Sequence, residues 1–288
     1  MECPMCGAGP IKILSEKNGI KNIKCDYCCY AGEVVDKITM SIMKAEAEGR
    51  GRAMAEDEVK SKIDAAVSAK VGEIRSSGGG EAVYDKNRPA VLEISCKFQG
   101  GGSSGTGFII NRFEGYVLTN THVIADEKNN CLAESVVVRT SNSKAYPADI
   151  IAYGKMNFYD DLAILKINCG TALDREVTLG DSNSVKNGQP VFLIGNPIGQ
   201  GISITGGIVS DNNRRFDAGP MIMIDASSNP GNSGGPAFNS DSKVIGVLVA
   251  GTPANVAVGM YYTIPINHAK EFIRSAEQKI GKNILPKL

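Results

Sequence analysis

The chain lacks most of what would make its role easy to guess. It has no net charge, with 31 basic residues against 31 acidic ones among 288. That balance gives no global case for nucleic acid or an anionic membrane as partner. No apolar stretch is long enough to span a bilayer, and the N-terminal MECPMCGAGP lacks the charged start and apolar run of a secretory signal. A cytoplasmic location is therefore the expectation for the chain as it stands, with no membrane partner. No internal repeat stands out. Histidine occurs only twice, as His122 and His268, so a search for acid–base chemistry has few starting points.

The composition supplies a core, with 42% hydrophobic residues. It also supplies eight cysteines, which in a reducing compartment read first as metal ligands or free thiols. Four of them form two C-x-x-C pairs, Cys3/Cys6 and Cys25/Cys28, with 18 residues between. The intervening stretch holds two short apolar-rich runs joined by Asn18-Gly19, a hairpin signal that turns the second pair back toward the first. Four thiolates suit the tetrahedral preference of Zn2+ at about 2.3 Å, and a segment this short needs such a staple to fold. The expectation is a zinc-ribbon-like module over residues 1–34 holding a structural zinc ion on Cys3, Cys6, Cys25 and Cys28. Cys29 could substitute at the fourth position. Disulfides compete less well in a cytoplasmic location, and a redox C-x-x-C centre competes less well because no βαβ pattern surrounds the pairs. A closed four-cysteine site leaves no position for substrate, so its role is structure or recognition.

Residues 35–77 contain no proline, and Val59, Ile63, Ala66, Val67, Val71 and Ile74 recur at helical steps. A helical connector follows, open to two readings: packing on a neighbouring domain, or a short coiled coil that builds a homo-oligomer. Ser76-Ser77-Gly78-Gly79-Gly80 opens what reads as a flexible linker over 78–88, accessible to self-cleavage. From residue 89 the texture changes to short apolar runs between Gly, Asn, Asp and Pro, such as Val136 to Val138 and Val191 to Ile194, the pattern of a sandwich or barrel. Ile266, Ala269, Phe272, Ile273, Ala276 and Ile280 then form one helical stripe capped by Gly281, before a tail at 283–288. Cys96, Cys131 and Cys169 fall in this region as buried or free thiols.

His122 ends the apolar run Tyr116-Val117-Leu118-Thr119-Asn120-Thr121, whereas His268 falls in the first turn of the closing helix, where a solvent-facing polar residue is ordinary. Ser233 lies in Pro230-Gly231-Asn232-Ser233-Gly234-Gly235-Pro236. A serine hydroxyl needs a base to take its proton, and the tetrahedral adduct needs amide donors for its oxyanion. The glycines permit a turn that aims the Gly231 and Ser233 N–H groups into one pocket.

The motifs Thr119-Asn120-Thr121-His122-Val123, Asp161-Leu162-Ala163-Ile164-Leu165-Lys166, Gly195-Asn196-Pro197-Ile198-Gly199 and Gly231-Asn232-Ser233-Gly234-Gly235-Pro236 stand in the order His, Asp, Ser. Together they resemble the HtrA (Deg) branch of the trypsin-like serine proteases, over residues 89–279. The resemblance implies a mainly β fold for residues 89–282: two six-stranded antiparallel barrels and a C-terminal helix, with the site in the cleft between. It implies a catalytic triad of His122, Asp161 and Ser233, with Asp160 as a competitor for the acid, and an oxyanion hole at Gly231, Asn232 and Ser233. It implies a serine endopeptidase acting on protein or peptide substrates through an acyl-enzyme. Asn232 stands where many secreted relatives carry the Asp that pairs with a freshly cut N-terminus, so activation by ordering of loops 169–188, 226–232 and 250–259 fits better. The specificity pocket maps onto Ser227, Ser228, Asn229 and Val249, small and without an acid, which favours small or medium apolar residues before the cut. Relatives usually carry PDZ domains after the protease, and none fits after the closing helix here. Regulation is then assigned to the zinc module and helix, with a partner protein or nucleic acid as what the module recognises. Two alternatives remain: a decayed, catalytically inactive protease-fold scaffold, and a zinc-ribbon binding protein.

Overall fold

The computed structural model describes residues 12–17, 20–24, 31–32, 79–126, 129, 131–170, 172–251 and 259–286. They divide into two units, residues 1–79 and 80–288. In the first, β1 (Lys12–Lys17) and β2 (Ile20–Lys24) form the expected hairpin in the register Lys12↔Lys24, with β3 (Ala31–Gly32) beside β2. The four cysteines and the helical connector lie outside the described residues.

The second unit opens with a correction. Residues 80–87, expected within a flexible linker, form helix α1 (Gly80–Asn87). Val83 is buried, the Asn87 amide donates to Val83 O at 2.8 Å, and Tyr84 donates its hydroxyl to Ile202 O at 3.1 Å. Two tertiary anchors, Val83 and Tyr84, together with the bond inside the helix, outweigh the flexibility that the neighbouring glycines advertise.

Six strands then close a barrel in the order β10-β11-β6-β5-β4-β9: β4 (Val91–Phe98), β5 (Gly101–Asn111), β6 (Tyr116–Thr119), β9 (Ser135–Arg139), β10 (Ala145–Tyr153) and β11 (Ala163–Ile167). Between β6 and β9 run the one-turn helix α2 (Thr121–Ile124) and the small pair β7 (Ala125–Asp126) and β8 (Cys131–Leu132). The second sheet contains β12 (Thr178–Leu179), β13 (Pro190–Gly195), β14 (Ser203–Phe216), β15 (Gly219–Ile224), β16 (Pro236–Phe238), β17 (Lys243–Gly251) and β18 (Tyr261–Pro265). Its order is β12-β17-β16-β13-β14-β15-β18, and an added β17–β18 pairing closes a second ring of six, with β12 attached outside it in parallel. Helix α3 (Ile266–Ile280) ends on Gly281, whose φ of 66° and N–H bond to Glu277 O make the expected left-handed cap.

The two-residue period of a strand decides what each face packs against. On β5, Ile109 joins Leu92, Val117 and Leu165 inside the first barrel, while Phe108 and Ile110 face the other way. Those outward residues meet Ile194, Phe238 and Val247 of the second barrel and the Ile266, Ala269, Ile273 and Ala276 stripe of α3 in one shared core. Val191, Leu193, Ile222 and Ile245 fill the second barrel. Each such large side chain contributes about 1.5–3 kcal/mol on full burial. The shared core presses the ends of β6 and β11 toward the turn before β16. No helix among the described residues is long and apolar enough to cross a membrane.

Candidate active site

His122 is the second residue of α2, which starts directly after the extended Asn120 at the end of β6. Asp161 precedes β11, which pairs with β6 in the register Ala163↔Thr119. Pairing alone therefore brings the two residues to the same end of the barrel. Side chains complete the stitch: Thr121 donates to Leu162 O at 2.8 Å, and the Asn120 amide donates to Asp161 O at 2.6 Å. Asp161 is 3% exposed, with Oδ2 at 2.5 Å from His122 Nδ1 and Oδ1 accepting from His122 N–H at 2.9 Å. The carboxylate fixes the imidazole at two points and leaves Nε2 toward solvent, where the histidine side chain is 38% exposed.

Asp160, the competing acid, points elsewhere: its Oδ1 lies 3.0 Å from His268 Nε2. This corrects the expectation of a solvent-facing His268. Its side chain is 19% exposed and stacks on Tyr159 at 3.9 Å between centroids. Burial, followed by the negative field of Glu271 and Asp160, pushes the Tyr159 hydroxyl up from its ordinary range.

Ser233 follows a four-residue turn, in which Asn232 N–H donates to Asn229 O at 3.1 Å. Pro230 and Gly231 occupy the corners, and Gly231 has φ 97°, the signature of a type II turn with glycine at the third position. Because Asn232 N–H is spent in the turn, it is no oxyanion donor, which corrects its inclusion among the expected three. No acceptor among the described residues takes the N–H of Gly231 or of Ser233. The Asn232 side chain is buried, and its Oδ1 has no donor among the described residues. A Cβ on Gly234 would lie 2.2 Å from Thr119 Oγ1 and 3.1 Å from Asn120 N, so the serine turn packs directly on the strand end that leads to His122. The Ser233 hydroxyl donates to Val249 O at 3.0 Å.

Of the other expected pocket residues, Ser227 and Asn229 are exposed and Ser228 half-buried, while Val249 is buried at 4%. Ser227 O accepts from Thr205 Oγ1 at 2.7 Å, which ties the pocket stretch to β14. Sequence reasoning passed over Thr106, which is fully buried and bonded to both Gly231 and Ser233. In the sequence it is one threonine beside Ser103 and Ser104 in a glycine-rich run, and nothing there sets it apart.

Two six-stranded antiparallel rings, with His122 and Asp161 on the first and Ser233 on the turn that enters β16 of the second, define a chymotrypsin-like fold. Residues 105–247 match the trypsin-like peptidase domain. A probable periplasmic serine endoprotease DegP-like of Brucella suis is 38% identical over 175 residues, covering 59% of this chain and 32% of the relative. A serine protease HtrA-like of Staphylococcus aureus is 33% identical over 177 residues, covering 57% and 22%. The solved HtrA-type protease AlgW with tripeptide superimposes with a TM-score of 0.61 at 30% identity, covering 71% of this chain and 65% of that one. The chain thus spans about a third or less of the length of these curated relatives.

Proposed function

We propose that this protein is a serine endopeptidase with His122, Asp161 and Ser233 as its triad. The observation that carries the reading is the two-point grip of Asp161 on His122 beside a serine turn whose Gly231 and Ser233 amides have no acceptor among the described residues. His122 accepts the Ser233 proton on Nε2 as Oγ bonds to the scissile carbonyl carbon. The oxyanion settles on the two amides, and Asp161 stabilises the imidazolium and holds its Nδ1 proton. Collapse breaks the C–N bond, Nε2 returns the proton to the leaving amine, and water removes the acyl group by the same route. The Ser233 hydroxyl donates to Val249 O in the structure, so it must exchange that acceptor for His122 Nε2 before attack. Small residues at Ser227 and Ser228 favour small or medium apolar side chains before the cut.

The N-terminal unit is read as a zinc-bound recognition module. Antiparallel pairing of Lys12 with Lys24 sets the entry to β1 and the exit from β2 at one end of the hairpin. Cys3 and Cys6 precede that entry and Cys25 and Cys28 follow that exit, a donor set suited to Zn2+. Bound there, the ion would supply structural cross-linking and no chemistry at the serine. The module would engage a partner protein or nucleic acid, and the connector would set any homo-oligomer.

The test compares wild type with Ser233→Ala on an unfolded substrate such as casein, followed by mass spectrometry. Cleavage by wild type alone supports the enzyme. Absence of both cleavage and fluorophosphonate labelling at Ser233 would hand the fold to the inactive-scaffold reading.

A further inference from the structure

The oxyanion turn contains three carbonyls close to Ser233, and each is fastened to a different part of the domain. Pro230 O accepts from Ile198 N–H at 2.7 Å, Gly231 O from Thr106 Oγ1 at 2.7 Å, and Asn232 O from Gly235 N–H at 2.9 Å. A trans peptide directs its C=O and the following N–H to opposite sides. Holding Pro230 O and Asn232 O therefore aims the N–H groups of Gly231 and Ser233 the other way, and these are the two donors of the turn with no acceptor among the described residues. Holding Gly231 O keeps the remaining carbonyl from rotating into the space the oxyanion must occupy.

Thr106 is the residue through which this arrangement reaches the first barrel. It is fully buried on β5 and uses every polar atom it has. Its N–H donates to Ser233 O at 2.9 Å, and its hydroxyl donates to Gly231 O while accepting from Asn196 N–H at 2.9 Å. Its own carbonyl accepts from Thr119 Oγ1 at 2.7 Å, three residues before His122. A hydroxyl has one proton to give and lone pairs to receive, so one side chain satisfies both Gly231 and Asn196. On the Asn196 side the chain reaches Ile198, whose φ of 47° is unusual for a β-branched residue. That conformation presents its N–H to Pro230 O. The space is tight: a Cβ on Gly231 would lie 2.4 Å from Asn196 O.

We infer that Thr106 is a positioning residue for the oxyanion hole: its hydroxyl ties Gly231 O to the Asn196–Ile198 turn, and its N–H ties Ser233 O to the first barrel. Opening of the hole is thereby coupled to docking of the two barrels. The inference rests on the endopeptidase reading above.

Valine matches threonine in shape and suits a strand, but it removes the hydroxyl. Thr106→Val is expected to lower kcat on a peptide substrate by about 10- to 100-fold, short of or equal to the loss of a whole oxyanion donor, with KM changed by about twofold or less. Affinity for a peptidyl boronate, which forms the tetrahedral adduct, should fall in parallel with kcat, while affinity for the matching product peptide holds. Thr106→Ser restores the hydroxyl and is expected to recover at least about a third of wild-type kcat. Merely structural damage would move kcat, KM and product affinity together and would not be repaired by serine. Wild-type kcat in Thr106→Val overturns the inference and leaves the endopeptidase reading intact; a wild type that neither cleaves nor labels overturns both. If Thr106→Val does not fold, Thr106→Ala is read in the same way. Failure of both to fold also overturns the inference, since the hydroxyl would then serve the fold alone.

Discussion

His268 and Asp160 form a second imidazole–carboxylate pair, 3.0 Å from Nε2 to Oδ1, one residue before the carboxylate that holds His122. Tyr159 stacks on the same imidazole, and Asn157 closes the loop by accepting from Asp160 N–H at 2.8 Å. The closing helix thus grips the loop that delivers Asp161. Asp160 is 40% exposed, so screening limits the pair to about 1 kcal/mol or less. His268→Ala is expected to lower the melting temperature by about 2–4 °C and kcat by less than about tenfold. His268→Phe keeps the stacking partner and should recover part of the melting temperature. An unchanged melting temperature in His268→Ala would show that the helix does not hold this loop.

Asp161 carries a heavier duty. Asn at this position preserves shape but places an amide opposite His122 Nδ1, forcing the tautomer that cannot accept the serine proton. Asp161→Asn should lower kcat about 10⁴-fold, with KM little changed and the fold intact. Asp160→Asn, by contrast, should cost less than tenfold. Steady-state kinetics on one peptide substrate distinguish the two, and equal losses would refute the assignment of Asp161 over Asp160.

The barrels were legible because their pattern is local. Val136 and Val138 alternate with exposed neighbours on β9, and the α3 stripe announces itself by spacing and the Gly281 cap. The motifs around His122, Asp161 and Ser233 stand out because they are short and chemically demanding, and of the contacts they imply the structure holds the one between Asp161 and His122. What escaped was settled by contacts across long sequence distances. Thr106 reaches Gly231 across 125 positions, and His268 reaches Asp160 across 108, and no periodicity records either. Helix α1 was hidden by the glycines at its start, since its anchor on Ile202 lies 118 residues away. The status of Asn232 as a turn donor depends on the fold of residues 229–232, which composition leaves open.

Asn111 joins the first barrel to the end of the chain. Its Oδ1 accepts from Phe113 and Glu114 N–H groups at 3.1 and 3.0 Å, shaping the β5–β6 turn, and its Nδ2 donates to Ile284 O at 2.9 Å. Glu277 Oε1 accepts from the N–H groups of Ile284 and Leu285 beside it. Asn111→Ala leaves three polar groups wanting and should cost about 2–3 kcal/mol, since Asn111 is 5% exposed. Asn111→Asp keeps the turn acceptor but sets a carboxylate oxygen against Ile284 O, so it should do no better. Hydrogen exchange should rise at residues 281–286 in both variants. Stability regained in Asn111→Asp would mean that the turn, not the tail, is what this side chain secures.

The buried thiol of Cys96 gives the domain a pH signature. It lies on β4, 6% exposed, and burial pushes its pKa from 9.0 to about 11 despite the opposing hydrogen bond with Ser103. At pH 8 roughly one molecule in a thousand would carry the thiolate, so native alkylation should strike exposed Cys131 and spare Cys96. The folded state keeps its proton to higher pH than the unfolded state does. The stability this contributes is therefore complete below pH 9 and is lost as pH rises toward 11. Each tenfold gain in proton affinity is equivalent to about 1.4 kcal/mol, so the total is about 2–3 kcal/mol. Tyr116 and Tyr159, whose hydroxyls burial also raises, add their own decline from about pH 10 upward. Cys96→Val should abolish the part of the decline that starts near pH 9 and leave the tyrosine part in place. Urea midpoints measured between pH 7 and pH 10.5 separate the two. A wild-type midpoint that stays flat through pH 10 would mean that water reaches the sulfur and that β4 is less closely packed than its neighbours make it.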